Sequence, residues 1–403
     1  MNVPVIDPFN IAADPKMPFV AGAIEPLNVQ QQFTECLSHL SSLTNVETTP
    51  LSPSSLKLRL VRRETTPLSP PLVRGETSSL PLVRGGLGWG QRSISKKINV
   101  CAIRVIRHKP GRRCLIEYDL ESENPDASSQ VITVIGKVRA KGTDISSYQL
   151  QQSLWNAGFS DHSEDGISVP EPIGVIPEFQ MWLQRKVPGE LATNLLPKPD
   201  GIPLAKRIAE AAYKLHQAGI PPKRRHTIAD ELRILHERLP MVAQLYPQWA
   251  KHLEGVLEKC DWLGTATPEP QLRGIHRDFY PDQVIVDGDR LYLLDLDLYC
   301  EGNPGLDIGN FIGHITEQSL RTLGSPDALA EKEAALEEHF VKLSGEATRA
   351  AVRSYTTLTL VRHIYISTQI AERRPFTEAL LELCEQRLDT VGRTLTINSF
   401  SSA

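Results

Sequence analysis

One segment constrains the fold of this 403-residue chain more than any other. It runs from Gly274 to Asp307 and reads GIHRDFYPDQVIVDGDRLYLLDLDLYCEGNPGLD. Two strand-like runs, Val284–Val286 and Leu291–Leu294, are joined by Asp-Gly-Asp, a sequence typical of the turn in a β-hairpin. The segment therefore predicts a rigid β-hairpin with polar residues before and after it.

Polar side chains flank this hairpin at both ends. His276 and Asp278 lie in the loop before it, Gln283 stands at the start of the first strand, and Asp295 ends the second strand. Transfer of phosphate from ATP needs an acid that orients the attacking hydroxyl and oxygen ligands that hold Mg²⁺ on the triphosphate. The pattern predicts Asp278 as the catalytic base, with His276 orienting the catalytic loop by a hydrogen bond. Gln283 and Asp295 are the predicted Mg²⁺ ligands.

The roles of two further carboxylates stay open. Asp297 is an alternative metal ligand to Asp295, because the sequence Leu-Asp-Leu-Asp places both acids on the same side of an extended chain. Asp307 stands where a helix begins. It either supports the catalytic loop by hydrogen bonds to its backbone or caps that helix.

The region before this segment predicts a small β-rich lobe. Its strand-like and helix-like runs follow in the order strand, strand, strand, helix, strand, strand. The runs are Val100–Ile106, Cys114–Leu120, Val131–Ala140, Asp144–Ala157, Val169–Ile176 and Met181–Lys186. From Pro203 onward the pattern is mainly helical. The predicted fold class is therefore α+β, with a small β-rich N-lobe and a larger α-helical C-lobe.

Candidate nucleotide-binding residues lie in the small lobe. Lys137 stands in the centre of an apolar strand, where a lysine needs a partner or a solvent-facing position. We predict that it contacts the α- and β-phosphates, although simple alternation could point it to solvent, and Arg139 and Lys141 are nearby competitors. Leu183 and Arg185 lie on a strand that runs into a Pro-Gly turn. This strand is predicted to connect the lobes and to bind adenine through its backbone.

Residues 47–97 differ from the rest of the chain. ETTPLSP occurs there twice, and Pro, Ser, Thr and Gly dominate. Such a segment buries too little apolar surface to offset the entropy of ordering it, which predicts a disordered insertion. Its basic character leaves contact with nucleic acid or a membrane as an alternative to a solvated linker. The predicted organisation is residues 1–46 and 98–186 in the N-lobe and residues 187–395 in the C-lobe.

Composition limits the partners. The formal net charge of -4 is small for this length, so no nucleic-acid partner is expected. No run approaches the roughly 18 apolar residues of a membrane span, so no membrane partner is expected either. The six cysteines are scattered singly, and the N-terminus does not resemble a signal peptide. These features predict a cytoplasmic protein with reduced thiols.

The catalytic segment resembles the aminoglycoside phosphotransferase and choline kinase-like family. The family pattern HGDLHPGNVLVD, IDW and GDPALD corresponds here to HRDFYPDQVIVD, LDL and GNPGLD, and the segments MWLQRKVPGEL and AAYKLHQAGI also resemble family counterparts. The resemblance implies a protein-kinase-like fold and phosphate transfer from ATP, with Mg²⁺, to a hydroxyl of a small molecule such as a sugar or amino alcohol. It places the catalytic Asp at Asp278, the Mg²⁺ Asp at Asp295 and the phosphate-binding Lys at Lys137.

Three departures from the family pattern matter. The family's Asn is Gln283, which is one methylene longer, and Mg²⁺ tolerates little distortion of its octahedron. The family's helix Glu has no counterpart in Ile145–Phe159, where Gln149, Gln151 and Gln152 stand instead. No Gly-rich loop covers the phosphates. The turn Lys109–Arg113 either faces the phosphates or is a plain exposed hairpin.

Two functions therefore remain as hypotheses: an active small-molecule kinase, or a catalytically impaired nucleotide-binding protein with a regulatory role. A protein kinase is disfavoured, since no Phe-Gly follows Asp295 and no Ala-Pro-Glu occurs.

Overall fold

The computed structural model describes residues 3–36, 98–122, 131–268 and 271–401. The predicted disordered insertion, residues 47–97, lies outside these described residues. Within them, a β-rich lobe precedes a mainly helical one, so the predicted two-lobed α+β architecture is confirmed.

The small lobe is built on a six-stranded sheet. Seven strands lie in this part of the chain: β1 Val5–Ile6, β2 Ile98–Lys109, β3 Arg113–Ser122, β4 Val131–Arg139, β5 Ile167–Ser168, β6 Pro172–Ile176 and β7 Met181–Arg185. The sheet order is β1-β2-β3-β4-β7-β6, and β5 belongs to another sheet. Helix α2, Ile145–Leu154, lies between β4 and β5 in the chain, in agreement with the predicted order. Helix α1, Pro26–Cys36, precedes β2.

The two faces of this sheet differ in chemistry. One face packs against α1, where the rings of Phe33 and Tyr118 lie 4.8 Å apart, and forms the apolar core of the lobe. The other face carries cations. Lys109 pairs with Arg113, and Arg113 pairs with Arg139, so these three side chains share one face. Lys137 pairs with Leu115. Because Lys137 lies two residues before Arg139 on β4, it points to the same face and adds a fourth cation.

The predicted hairpin is confirmed and forms the centre of a second sheet. The strands of the large lobe are β8 Glu190–Leu191, β9 Arg273–Ile275, β10 Val284–Asp287, β11 Arg290–Leu293 and β12 Cys300–Gly302. Their order is β5-β11-β10-β8, with β12 and β9 as a separate pair. Gly288 in the hairpin turn has φ of 56°, a conformation that glycine adopts without strain.

Helices form the rest of the large lobe. They are α3 Ala192–Leu195, α4 Gly201–His216, α5 Ile228–Leu245, α6 Ala250–Ala266, α7 Gly305–Leu323, α8 Ala330–Ser344, α9 Arg349–Gln369 and α10 Thr377–Ser401. Pro240 lies inside α5, and the helix continues through it. Pro240 is exposed, so water can bind the carbonyl that loses its helical donor. In the described residues no helix has the length and apolar character that a membrane span requires.

Close packing of α7 against α9 fixes the position of the catalytic segment. Gly305, Gly309 and Gly313 recur every four residues along α7, on the face that meets α9. A Cβ added at Gly309 would lie 2.6 Å from the Cβ of Tyr355 and 2.7 Å from the carbonyl oxygen of Val352. The two backbones therefore approach too closely for any side chain at this position.

We expect the substitution Gly309→Ala to destabilise the protein by about 1–3 kcal/mol, because the clashing atoms include helix backbone that cannot move alone. Urea denaturation measures the change. The control is Gly255→Ala on α6, where a Cβ would meet no atom within 4 Å. That substitution should stabilise the protein by up to about 1 kcal/mol. If Gly309→Ala is as stable as the wild type, the close approach is wrong.

Candidate active site

A buried carboxylate holds the catalytic loop. Asp307, in the first turn of α7, has no solvent exposure. Its Oδ2 accepts hydrogen bonds from the backbone N–H of His276 at 2.8 Å and from Nε2 of His216 at 2.8 Å, and its Oδ1 accepts one from the N–H of Arg277 at 2.7 Å. The N–H of Gly305, the first residue of α7, donates to Oδ1 of Asn303 at 2.9 Å, so Asn303 and not Asp307 caps the start of this helix. The contacts of Asp307 are therefore those of a loop support and not of a helix cap.

Leu294 connects the three parts of the catalytic segment. Nε2 of His276 donates to the carbonyl of Leu294 at 2.8 Å, and the N–H of Leu294 donates to the carbonyl of Gln283 at 2.9 Å. Because Leu294 immediately precedes Asp295, these two bonds fix the loop, the start of the hairpin and its end relative to one another. His276 thus orients the loop through its ring.

Two residues of the site have strained backbones. Arg277 has φ of 72° and Asp295 has φ of 50°, both in the left-handed region that non-glycine residues rarely adopt. Such conformations cost on the order of 1–3 kcal/mol each and cluster at functional sites. The hydrogen bond from the N–H of Arg277 to Asp307 and those of Leu294 beside Asp295 hold this geometry.

The predicted base Asp278 and the predicted Mg²⁺ ligand Asp295 both influence the phenol of Tyr280. Burial raises the pKa of Tyr280, and the negative charges of Asp278, Asp282 and Asp295 raise it further, while a hydrogen bond with the Gln283 side chain opposes the change. Asp278 and Asp295 are therefore both within electrostatic reach of the Tyr280 hydroxyl. In the described residues, neither Asp278 nor Asp295 has a hydrogen bond or ion pair to its carboxylate, so both are available to a ligand.

The contacts of Asp295 differ from those of Asp297, the alternative metal ligand. Asp297 forms an ion pair with Arg139 of β4, and its carbonyl accepts a hydrogen bond from Arg224 at 2.6 Å. The carboxylate of Asp297 is therefore used to connect the two lobes. Arg139 is also used in this contact, which leaves it less suited than Lys137 to bind phosphate.

Lys137 has an aromatic partner in place of a carboxylate. Its ammonium nitrogen lies 4.7 Å from the centroid of the Trp182 ring, a cation–π contact. Burial lowers the pKa of Lys137, and the charge of Asp295 opposes this shift. Gln151, one of the amides expected nearby, donates instead to the carbonyl of Pro170 at 2.7 Å. Lys137 is therefore within electrostatic reach of Asp295, and its ammonium group contacts the indole of Trp182.

The turn Lys109–Arg113 is fixed above the site. Asp14 accepts hydrogen bonds from the N–H of Gly111 at 2.7 Å and contacts His108 Nε2 at 2.9 Å. The charge of Arg113 lowers the pKa of Lys109, burial contributes to the shift, and Asp295 opposes it. Lys109 is thus within electrostatic reach of Asp295, which favours the phosphate-facing interpretation of this turn over a plain exposed hairpin.

The adenine contacts predicted at Leu183 and Arg185 stay a prediction, and strand pairing limits which of their groups are free. Leu183 pairs with Gly136 on one side and Gly174 on the other, so its backbone groups face neighbouring strands, and its side chain is buried in the small-lobe core. The N–H of Arg185 donates to the carbonyl of Glu171 at 2.9 Å, and its guanidinium pairs with the Glu171 carboxylate at 2.6 Å. The backbone of Leu183 and the N–H of Arg185 are therefore already used within the small lobe.

Gln184, between them, lies on the opposite face. It pairs with Ile135, two residues from Lys137, and so shares the face of Lys137 and Trp182. Its buried Oε1 has no hydrogen-bond partner in the described part of the chain. An unsatisfied buried acceptor calls for an explanation, and a polar ligand in the cleft would supply one. Gln184 is therefore a better candidate for this role than either neighbour.

Two further supporting residues were not found from the sequence. His216 donates to Asp307 as described above, and Nδ2 of Asn310 donates to the carbonyl of Phe279 at 2.9 Å. Asn310 lies three residues after Asp307, on the same face of α7, so helical spacing could have indicated it. His216 lies in the segment AAYKLHQAGI, which already resembled the family.

Comparison with protein families agrees with this site. The sequence model described as the phosphotransferase enzyme family matches residues 152–349, a range that includes all of the catalytic segment. The predicted family resemblance is confirmed. The phosphotransferase family match does not extend to β4, the strand that carries Lys137. The assignment of Lys137 therefore depends on the fold and not on this match. A search of curated proteins found no match.

Solved structures are similar to this chain at low sequence identity. A protein from Ralstonia eutropha JMP134, provisionally named an aminoglycoside phosphotransferase, is 11% identical with a TM-score of 0.50, covering 75% of this chain and 94% of its own. Choline kinase from Cryptosporidium parvum Iowa II is 13% identical with a TM-score of 0.48, over 75% and 92%. A choline/ethanolamine kinase family protein from Mesorhizobium loti is 15% identical with a TM-score of 0.47, over 66% and 88%. The Ralstonia structure supports the two-lobed, protein-kinase-like fold.

We expect Asp307→Ala to destabilise the protein by about 3–5 kcal/mol, because it leaves two buried backbone N–H groups and the His216 ring without their acceptor. Chemical denaturation measures the loss. The control is Asp287→Ala in the exposed hairpin turn, where a change within about 0.5 kcal/mol is expected. Equal effects of the two substitutions would contradict the supporting role of Asp307.

Proposed function

We propose that the protein is an ATP- and Mg²⁺-dependent kinase that transfers the γ-phosphate to a hydroxyl group of a small molecule. The observation that carries the proposal is the pair of hydrogen bonds made by Leu294. They hold Asp278, Gln283 and Asp295 in one frame, with both carboxylates free of protein partners. The family match supports phosphate transfer as the reaction. A cytoplasmic location remains a prediction.

Each side chain has a definite role in this proposal. Asp278 orients the acceptor hydroxyl and accepts its proton as the oxygen attacks phosphorus. Lys137 and Lys109 face the triphosphate from the cationic side of the small-lobe sheet. Asp295 and Gln283 supply oxygen ligands for Mg²⁺. When bound, Mg²⁺ neutralises the charge that develops on the phosphates.

The residues fit Mg²⁺ held together with a nucleotide. No group of three or more His, Cys, Asp or Glu side chains in the described residues is placed to hold a metal by itself. Mg²⁺ is typically bound through one or two carboxylates, with phosphates and water completing the octahedron. One carboxylate and one amide are therefore enough, provided that ATP supplies the other oxygens.

Tyr280 helps to explain how Gln283 can replace the family's Asn. The residues Pro281–Gln283 form a 3-10 turn, in which the N–H of Gln283 donates to the carbonyl of Tyr280 at 2.8 Å. A hydrogen bond between the Gln283 side chain and the Tyr280 hydroxyl places the amide beside the phenol. The Tyr280 ring is held by stacking on His314, with centroids 4.6 Å apart. If the amide N–H donates to the phenol, the amide oxygen remains available for the metal.

The alternative is a nucleotide-binding protein that is impaired in catalysis. One observation favours it: Lys137 has no carboxylate partner in the described residues, so its position depends on Trp182. A lysine held in this way could bind phosphate without aligning it for transfer.

A screen for ATP consumption across hydroxylated metabolites tests the proposal. We expect at least one acceptor to release ADP, and Asp278→Asn to reduce that rate by about 10²-fold or more, since general base catalysis contributes this much. Nucleotide affinity should be nearly unchanged in the variant. The assignment of the base is wrong if Asp278→Asn turns over a proven acceptor at the wild-type rate.

A thermal-shift assay with ATP separates the two functions without a known acceptor. Mg²⁺-dependent stabilisation that is lost in Asp295→Asn is expected for the kinase. Stabilisation by ATP that ignores Mg²⁺ would favour the impaired nucleotide-binding protein. Asp287→Asn, at the exposed hairpin turn, serves as the control for loss of one carboxylate.

Tyr280→Phe tests the positioning of Gln283. Removing the hydroxyl leaves the ring stacked but frees the amide, so we expect a weaker apparent affinity for Mg²⁺ at saturating ATP, by about tenfold. Mg²⁺ titration of the thermal shift measures this change. In the Gln283→Asn background the shorter amide should no longer depend on the phenol, and Tyr280→Phe should then have little effect. An equal loss in both backgrounds would contradict the coupling.

A further inference from the structure

We propose that a cavity between the two lobes, next to the catalytic centre, binds a small molecule that carries a phosphate group. The cavity has a volume of about 870 Å³, within the range of small-molecule sites. The first turns of α2, the loop 220–224 and the 3-10 turn Leu296–Leu298 form its walls. Asp278, Gln283 and Asp295 do not line it, so it is distinct from the metal and catalytic groups.

The cavity has an excess of positive charge. Four basic and two acidic residues line it: Arg139, Lys141, Lys223, Arg224, Asp144 and Asp297. Both acids are already engaged. Asp297 pairs with Arg139, and Asp144 accepts hydrogen bonds from the N–H of Ser147 at 3.1 Å and from its hydroxyl at 2.9 Å. The two acids therefore do not neutralise the remaining cations.

Three of the four cations have no acidic partner. In the described part of the chain, Lys141, Lys223 and Arg224 form no ion pair. Lys223 donates to the hydroxyl of Ser146 at 3.4 Å, and Arg224 donates to the carbonyl of Asp297 at 2.6 Å. Three like charges around one cavity repel each other, and an anion between them would remove that repulsion. We call these three residues the cation cluster.

The rest of the lining indicates what accompanies the anionic group. Hydroxyls of Ser146 and Ser153 offer further hydrogen bonds, and Leu150, Ile220 and Leu298 form an apolar surface. Arginine, lysine and hydroxyl donors are the groups that proteins use to bind phosphate. A phosphate monoester with a small apolar or hydroxylated body fits this lining.

The ligand would contact both lobes. Lys141 follows β4 of the small lobe, whereas Lys223 and Arg224 belong to the large lobe. The Arg139–Asp297 ion pair forms one wall of the cavity, and its two members lie two residues from Lys137 and Asp295. Occupancy of the cavity would therefore favour one relative position of the lobes. The proposal goes beyond the proposed function and does not require phosphate transfer.

Calorimetric titration with propyl phosphate and glycerol 3-phosphate tests this site. The titrations are made first without and then with a saturating non-hydrolysable ATP analogue and Mg²⁺, which fill the nucleotide site. We expect both phosphates to bind and glycerol to show no binding. A triple variant replaces the cation cluster with glutamine: Lys141→Gln, Lys223→Gln and Arg224→Gln. We expect its affinity for both phosphates to fall by at least about tenfold, because it loses charge-assisted hydrogen bonds to the phosphate group.

A matched variant controls for net charge. Lys206→Gln, Lys251→Gln and Lys342→Gln also remove three positive charges, from exposed helix positions outside the cavity. This variant should retain phosphate affinity within about twofold. Three results overturn the proposal: no binding of either phosphate, equal weakening by both triple variants, or binding that disappears when the ATP analogue is added. The last result would show that the phosphates occupy the nucleotide site.

The same two probes identify the role of the ligand. Propyl phosphate lacks a free hydroxyl and glycerol 3-phosphate has two. With ATP and Mg²⁺, ADP release that depends on glycerol 3-phosphate alone would show that the cation cluster positions a phosphorylated acceptor. Binding of both probes without ADP release would show an effector that is not itself phosphorylated. Both outcomes support the phosphate site. The binding titration tests this site independently of kinase activity, so its result remains valid even if no acceptor is phosphorylated.

Discussion

The buried carboxylate of Asp307 is the interaction on which the active site depends. A charge without solvent exposure is stable only when hydrogen bonds compensate for its lost hydration. Here the donors are the N–H groups of His276 and Arg277 and the ring of His216. Because Asp307 lies on α7, and α7 packs closely against α9 through glycines, the catalytic loop takes its position from this helix pair.

The small lobe contributes charge to this rigid frame. Its sheet presents lysine and arginine side chains on one face, and Asp295 and Asp297 stand opposite on the large lobe. One of these acids, Asp297, pairs with Arg139 and connects the lobes, while Asp295 faces Lys137 without a direct ion pair. The unpaired acid and lysine are the arrangement that a metal-bound triphosphate would complete. The paired acid and arginine form the border between this site and the cation cluster.

Sequence predicted best what is close along the chain. The hairpin, its turn and the candidate carboxylates all lie within Gly274–Asp307, so spacing was sufficient to place them. The environment of Lys137 depends on the pairing of β4 with β7, which brings Trp182 beneath it. The anchoring of Gly111 by Asp14 joins residues 97 apart in the chain. Neither contact could be predicted from a local sequence pattern, because each depends on how segments distant in the chain pack together. The pairing of β7 on both sides, which uses the backbone of Leu183 and the N–H of Arg185, likewise cannot be read from one strand.

The departures from the family pattern are physically connected. Gln283 replaces an Asn, and Tyr280 replaces a His in the same pattern, three residues earlier in one 3-10 turn. A longer amide alone would be free to swing away from the metal, and a phenol alone would have no evident partner. Together they place a donor against an acceptor, while His314 holds the ring from behind. The family's helix Glu is likewise replaced as the partner of Lys137, here by the ring of Trp182. In both places a change in one residue is accompanied by an aromatic side chain that restores its position, which favours a working site over one that has lost its constraints.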